Sequence, residues 1–149
     1  MGSRFGLEIR AATPADAPGL VELLSAAGQA IVAGDMAVRI GALRQEHGAA
    51  LIALEWGPPS GVVVLHWYRT LEAPAPIAQI TTLLVGPDDR RRGVGRLLLK
   101  AAAQAARVAG CGTLQLLAGP DEPALHAFCA ATGFTGMGTS LVRPLRKKG

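Results

Sequence analysis

The sequence is short of aromatic residues and of cysteine, and each shortage excludes a class of protein. Aromatic residues make up 4% of the chain, and no stacking platform for single-stranded nucleic acid is evident among them. Two cysteines, Cys111 and Cys129, are too few for a disulfide framework. Since no histidine–cysteine cluster has ligand spacing, we also expect no metal site.

Long apolar runs and leader segments are missing as well. No apolar stretch reaches the roughly 18 residues that cross a bilayer, and residues 1–9 lack the long apolar core of a signal peptide. We therefore expect no membrane association and a cytoplasmic location. Charged residues make up only 17% of the chain and hydrophobic residues 50%, which favours a folded core over disorder. The length predicts one domain over residues 1–149, with a basic tail from about residue 143.

Periodicity predicts strands and helices that share one mixed sheet. A strand at residues 7–10 precedes a helix that begins at Thr13 and ends near Gly28, and a second amphipathic helix follows from Asp35. Further along we expect a hairpin (49–56 and 61–69), a buried strand (77–85), a helix (94–109), a strand (113–118), a helix (121–132) and one or two short strands within 134–145.

The helix at 94–109 has the clearest pattern. Its apolar residues share one face, with polar residues opposite: Val94, Leu97, Leu98, Ala101, Ala105 and Val108. A strand precedes it and another follows, so the three form a crossover between parallel strands. The hairpin adds antiparallel strands, and the sheet is therefore mixed.

The loop before that helix carries the strongest functional signal. Its sequence is Arg90-Arg91-Arg92-Gly93-Val94-Gly95, in a chain with a net charge of +4. Helix N-termini present unpaired N–H groups and partial positive charge, and glycine lets the backbone approach an anion closely. We therefore predict a site for a phosphate or pyrophosphate. The alternatives are a solvated basic loop and a nucleic-acid contact, and the glycine turn makes the latter the weaker of the two.

Together these features resemble the GNAT N-acetyltransferase superfamily. The match rests on the strand "LLV" at 83–85, on the Arg/Gln-x-x-Gly-x-Gly/Ala pattern of residues 90–95, and on a last helix that ends in Gly133-Phe134. The N-terminal stretch at 9–24 also resembles the usual start of that family. The resemblance implies an α/β (α+β) fold. Its sheet is twisted and mostly antiparallel, with about six to seven strands, helices on both faces and splayed central strands.

The same resemblance implies acetyl-CoA as co-substrate. The backbone of residues 83–85 would pair with the pantetheine arm, and the loop that opens the helix would hold the pyrophosphate. The residues expected to bind the cofactor are Leu83, Leu84, Val85, Arg90, Arg91, Arg92, Gly93, Val94, Gly95, Arg96, Leu125 and Phe128. The family often forms homodimers, which this sequence itself does not indicate.

Three catalytic positions depart from the family pattern. Thr81 stands where relatives often carry a glutamate base, Cys129 stands where they carry a tyrosine that protonates the leaving thiolate, and Glu122 replaces an asparagine. A hydroxyl such as that of Thr81 is not a base at neutral pH.

Other residues are candidates for the missing roles. Cys129 is a candidate proton donor, with simple packing as the alternative, and His126 lies one helical turn away, where it could tune that thiol. A backbone N–H near Leu84 or Val85 is expected to stabilise the thioester oxygen. His66, Glu72 or a chain of waters could act as the base.

The expected function is direct acetyl transfer to a small-molecule or peptide amine in a ternary complex. The alternative is an acyl-CoA-binding protein with little transferase activity, since the family glutamate and tyrosine are missing. Few acidic residues occur in the second helix or in residues 67–76, where an acceptor pocket is expected. A polycationic acceptor such as an aminoglycoside is therefore disfavoured. Trp67 and Tyr68 are candidates for lining that pocket, although packing at an edge strand explains them equally well.

Overall fold

The computed structural model describes residues 6–90, 93–136, 138 and 140–145. They fall into two compact units that divide after Leu117. In chain order, with two 3₁₀ turns at Pro14–Asp16 and Pro87–Asp89, the elements are β1 (Glu8–Ala11), α1 (Ala17–Ala26), α2 (Ala33–Gln45), β2 (Gly48–Leu54), β3 (Gly61–Tyr68), β4 (Ile77–Val85), α3 (Val94–Val108), β5 (Thr113–Leu116) and α4 (Pro123–Ala131). The prediction of a single domain stays a prediction.

The first unit is built on a mixed sheet with strand order β1-β2-β3-β4-β5. The first four strands pair antiparallel to their neighbours, and β5 joins β4 in parallel. The parallel pair flanks α3, which confirms the crossover expected from the sequence. The mixed α/β class is confirmed.

The expected count of six to seven strands is wrong, because the sheet has five within the described residues. The described residues of the segment 134–145, which was expected to supply the missing strands, contain no strand. Gly138 lies at φ 69°, outside extended conformation. Three apolar side chains near the end of this segment, Leu141, Val142 and Leu145, are 86–91% exposed. A strand is stable only where a neighbouring edge completes its hydrogen bonds.

Helices cover both faces of the sheet, as expected. On one face, α1 and α2 pack against β2 and β3 through a core that includes Leu20, Ile40 and Ile52. On the other, α3 packs through a core that includes Ile80 and Leu98. Both cores bury branched aliphatic side chains almost completely, and each such side chain stabilises the fold by about 1.5–3 kcal/mol.

The buried stripe of α3 differs by one position from the predicted one. Its fully buried residues recur every four positions: Val94, Leu98, Ala102 and Ala106. Val108, which was expected on the core face, is 79% exposed because it lies in the last turn, on the flank of this stripe. The small side chains of Ala102 and Ala106 let the helix approach the sheet closely, while the predicted Leu97 and Ala105 are partly buried against the same core.

The start of α1 is fixed by a cluster of polar contacts. Both carboxylate oxygens of Asp16 accept hydrogen bonds from the Arg10 guanidinium, at 2.8 and 2.9 Å, so this pair is bidentate. One of them also accepts the Thr13 backbone N–H at 2.8 Å. These contacts lower the pKa of Asp16 to about 2, mainly through the Arg10 hydrogen bonds. They tie β1 to the helix that follows it.

The second unit contains α4. As predicted, Pro123 lies in its first turn and the helix stops at a glycine, since Gly133 has φ 96°. The Phe134 N–H then donates to the Cys129 carbonyl at 2.9 Å, which satisfies an end-of-helix carbonyl.

Candidate functional site

The central feature of the site is a break in the pairing of β4. Along β3 the pairing covers the whole strand, but it shifts register between Val64, which faces Thr82, and Leu65, which faces Ile80. Thr81 is thus the extra residue of a β-bulge. On the other side, β5 pairs with β4 only from Ile77 to Ile80. The strand therefore continues to Val85 with no β5 residue paired to it.

The register shows which backbone groups point into this gap. A Cβ built on Gly61 would lie 3.0 Å from the Leu84 carbonyl oxygen, so this carbonyl faces β3, and the Gly86 N–H also bonds back to that side, at Ser60. In an extended strand the N–H and C=O of one residue point the same way, and successive residues alternate. The backbone groups of Leu83 and Val85 consequently face the gap.

The first turn of α3 lies beside this half of β4. Gly61, which pairs with Val85, makes the approach possible: a Cβ there would lie 2.8 Å from Leu98 and 3.1 Å from Val94. Gly93 precedes the helix at φ 81°, a left-handed conformation that favours glycine. The N-terminus of α3, whose first N–H groups have no partner within the helix, thus lies against the sheet at the level of Val85, where β4 ends.

The predicted loop residues are described in part. Arg90 is exposed and extended, and Arg96 is exposed in the first turn of α3. Gly93, Val94 and Gly95 form the start of the helix. Arg91 and Arg92 lie outside the described residues, so the part of the prediction that concerns them stays a prediction.

A cavity of about 410 Å³ opens on the face of the sheet that carries α1 and α2. Its walls are mostly apolar, with Leu24 from α1, Met36, Ile40 and Leu43 from α2, and Val62 and Val64 from β3. Four side chains supply polar groups to its lining: Arg39, Glu46, His66 and Thr82. His66 and Thr82 belong to neighbouring strands, next to the bulge of β4.

The bulge brings two of the sequence candidates together. The His66 ring Nε2 lies 3.0 Å from the Thr81 hydroxyl oxygen, which is hydrogen-bond distance. His66 is half-buried and Thr81 is exposed. The position where relatives carry a glutamate therefore holds a hydroxyl in contact with an imidazole. Strand alternation alone could not reveal this pair, because the bulge is what places the Thr81 hydroxyl beside β3.

Other candidates from the β3 region lie elsewhere. Trp67 packs on the α3 face of the sheet, where it lines a second concavity with Ile9 and Leu51, so it does not line the cavity beside His66. Glu72 lies in the exposed loop between β3 and β4. Of the base candidates with a side chain, His66 is the one that lines the cavity.

The candidates on α4 are described within the second unit. His126 Nε2 lies 2.8 Å from the Gly119 carbonyl, so this nitrogen donates and the ring braces the turn before the helix. The Glu122 carboxylate accepts the Gly119 N–H at 2.7 Å in the same turn. Cys129 is half-buried and burial raises the pKa of its thiol, which stays protonated at neutral pH. Leu125 and Phe128 are also half-buried.

The comparisons with known proteins agree with this geometry. Residues 20–134 match the acetyltransferase (GNAT) family, and the chain therefore belongs to that family and is an N-acetyltransferase. A search of curated protein sequences found no match. Among the described residues, no helix is both long and apolar enough to cross a membrane.

Solved structures share the fold over nearly the whole chain. A protein from Agrobacterium tumefaciens assigned as an acetyltransferase is 29% identical, with a TM-score of 0.81, and the match covers 93% of this chain and 99% of that one. An aminoglycoside acetyltransferase from an uncultured soil metagenomic sample, in complex with sisomicin, is 21% identical (TM-score 0.79, 96% and 97% covered). AAC(6')-Iy, in complex with a bisubstrate CoA analog, is 19% identical (TM-score 0.80, 95% and 99% covered).

Proposed function

We propose that this enzyme transfers the acetyl group of acetyl-CoA directly to a primary amine, with both substrates bound at once. The main support is the edge of β4, which extends to Val85 after its pairing with β5 ends at Ile80. An unpaired strand edge offers alternating donors and acceptors to an extended ligand. The pantetheine arm of CoA carries amide groups that match such an edge.

The residues present fit the rest of that ligand. The N–H groups of the first turn of α3, after the left-handed Gly93, form a site for the pyrophosphate, and the exposed Arg90 and Arg96 add positive charge. On this proposal Leu83 and Val85 hold the pantetheine. Arg91, Arg92, Leu125 and Phe128 remain proposed contacts on the strength of the family pattern alone.

Acetyl-CoA supplies an activated acetyl group: the amide C–N bond forms, the thioester C–S bond breaks, and CoA leaves as a thiol with release of one proton from the ammonium. A backbone N–H near Leu84 or Val85 would stabilise the thioester oxygen. The Leu84 carbonyl faces β3, so strand alternation favours Val85 for this role.

The acceptor ammonium has to lose a proton before its nitrogen can attack. We assign this task to the His66–Thr81 pair, because the contact lies beside the cavity and replaces the family glutamate. The Thr81 hydroxyl would pass its own proton to His66 Nε2 and take one from the ammonium. An imidazole behind the hydroxyl removes the objection that a threonine alone is not a base.

Cys129 is the proposed proton donor to the departing thiolate. Burial raises the pKa of its thiol, so the proton is present at neutral pH but is given up less readily than by an ordinary thiol. Its contribution should therefore be modest. His126 is proposed to position the turn before α4, through its bond to Gly119, in addition to any effect on Cys129.

Steady-state kinetics of single variants test this assignment, with CoA release followed against an amine panel. We expect His66→Gln, which can keep a hydrogen bond to Thr81 but cannot take a proton, to lower kcat about 100-fold. The acidic limb of the pH–rate profile should move or disappear in this variant. Cys129→Ala should lower kcat less than tenfold.

Two results would contradict the proposal in different ways. An unchanged pH profile in His66→Gln would remove the base assignment and leave the transferase standing. Tight CoA binding by calorimetry with no thiol release for any amine would favour the acyl-CoA-binding alternative, which the missing glutamate makes the natural competitor.

A further inference from the structure

We infer that the acceptor is a primary amine with a single positive charge and a compact apolar body. This inference rests on the proposed function and concerns the cavity on the α1–α2 face of the sheet. The cavity volume of about 410 Å³ lies near the lower end of the range for small-molecule sites. A polycation would bring several ammonium groups against a wall that is mostly apolar.

The charges around the cavity set the first limit on the acceptor. Among its lining residues in the described part of the chain, Glu46 is the one carboxylate and Arg39 the one guanidinium. Both residues are exposed. A ligand with several ammonium groups would have to bury charges without partners, which is costly in an apolar site. One ammonium can be accommodated, because Glu46 and the His66–Thr81 pair provide acceptors for it.

The distribution of polar and apolar groups sets the orientation. His66 and Thr82 lie on β3 and β4, next to the bulge, while Met36 and Ile40 are buried side chains of α2. The reacting nitrogen has to lie at the end where proton acceptors and the free edge of β4 meet. The body of the acceptor then extends along the aliphatic wall, where burial of each methylene improves binding about fourfold.

Two matched amines provide the main experiment on the full chain. n-Hexylamine and 1,6-diaminohexane have the same carbon chain and differ by one ammonium group. We expect kcat/KM to be at least 100-fold higher for n-hexylamine. Across the series from n-propylamine to n-hexylamine, kcat/KM should rise about fourfold per methylene until the cavity is filled. 2-Phenylethylamine should react well and sisomicin poorly.

A variant pair tests whether this cavity is the origin of the selectivity. Leu43→Glu places a second carboxylate in the wall, one helical turn from Glu46. It should lower kcat/KM for n-hexylamine more than tenfold and narrow the gap to 1,6-diaminohexane. Val38→Glu is the matched control, because Val38 lies on the same helix with 72% of its surface exposed, and it should change neither value. CoA affinity by calorimetry should be the same in both variants.

The outcomes separate this inference from the function beneath it. Higher kcat/KM for 1,6-diaminohexane or sisomicin than for n-hexylamine would overturn the apolar monoamine and leave acetyl transfer intact. The apolar monoamine would also be overturned if kcat/KM did not rise from n-propylamine to n-hexylamine, or if Leu43→Glu and Val38→Glu changed kcat/KM equally. No CoA release with any amine, despite CoA binding, would overturn the proposed function itself.

Discussion

The two halves of β4 show how one strand serves two purposes. From Ile77 to Ile80 the strand pairs with β3 and β5, and its side chains Ala78 and Ile80 are at most 1% exposed. From Thr82 to Val85 it pairs with β3 and with no other strand of the described residues, and every residue from Thr81 to Val85 keeps some exposure. The first half is ordinary sheet core, while the second leaves donors and a hydroxyl accessible. The difference shows how a strand exposes polar backbone groups where its neighbouring strand ends early.

The largest expected effect comes from a substitution in the first half of β4. Ile80→Ala removes a side chain that is 1% exposed and packs against α3 in the core. The cavity should lower the free energy of unfolding by about 3 kcal/mol. Urea denaturation measures this loss. At temperatures where the variant is folded, its kcat should stay within about threefold of the wild type. A loss of kcat without a loss of stability would contradict the view that the first half of β4 serves the fold and not the chemistry.

The second effect concerns the helix that borders the second half. Gly95→Glu puts a side chain and a negative charge in the first turn of α3, where we place the pyrophosphate. We expect CoA affinity to fall about 100-fold, or ~2.7 kcal/mol, by calorimetry. Stability should hold or rise, since Glu favours helix over Gly and suits an N-terminal turn. Gln104→Glu adds the same charge on the exposed face of α3 and is the control. Equal affinities in both variants would remove the pyrophosphate assignment.

A third, smaller effect tests the contribution of the bulge residue Thr81 independently of the β4 residues that follow it. Thr81→Val removes the hydroxyl that contacts His66 but keeps the shape of an exposed strand residue. We expect kcat to fall about tenfold, or ~1.4 kcal/mol in the barrier, with CoA affinity unchanged. Thr81→Ser should restore most of the rate, because it restores the hydroxyl. Failure of serine to do so would show that the threonine acts only through packing.

The smallest effect lies outside β4 and should not touch its chemistry. Asp16→Asn removes the bidentate pair with Arg10, and we expect a loss of about 1 kcal/mol at pH 7, since Arg10 keeps 40% of its side chain exposed. The pKa of Asp16 is lowered to about 2 from an ordinary value near 4. Its stabilisation is therefore complete above about pH 4 and is lost as the pH falls towards 2. Urea titrations should show the two proteins converging over that window, while their acetyl-transfer rates agree at pH 7.

Sequence patterns predicted most of this fold because they report local periodicity. The four helices, the hairpin of β2 and β3 and the glycine stop after α4 all follow from spacing and capping. The errors arose where tertiary context decides. Val108 fits an apolar stripe but lies in the last turn, beyond the buried stripe. The described residues of the C-terminal segment 134–145 are strand-like in sequence but form no strand, because a strand also needs the edge of a neighbouring strand to complete its hydrogen bonds.

A local sequence signal exists for the proposed cofactor half of the site but not for the contact in its proposed catalytic half. The Arg–Gly loop and the strand before it carry the signal for the first, since a glycine at positive φ in front of a helix leaves a sequence signature at Gly93. The sequence marks His66 as a candidate base and Thr81 as a departure from the family glutamate, but nothing in their spacing of 15 residues predicts that they are in contact. Their contact depends on the register of two strands and on a bulge, and neither is encoded in a local pattern.

The bulge at Thr81 also shifts the alternation of side chains between the two faces of the sheet along β4. Ile80 and Leu83 both belong to the α3 core although they are three residues apart, while Val64, Thr82 and Leu84 lie on the opposite face. Flattening the bulge, so that Thr81 took an ordinary place in the ladder, would turn every later side chain to the other face. Thr82 would then enter the α3 core and Leu83 the cavity on the α1–α2 face, whereas deleting Thr81 would leave both on their present faces. The bulge thus sets which residues in the second half of β4 face that cavity, and relatives of this chain have to be aligned on it before the residues around their cavities are compared.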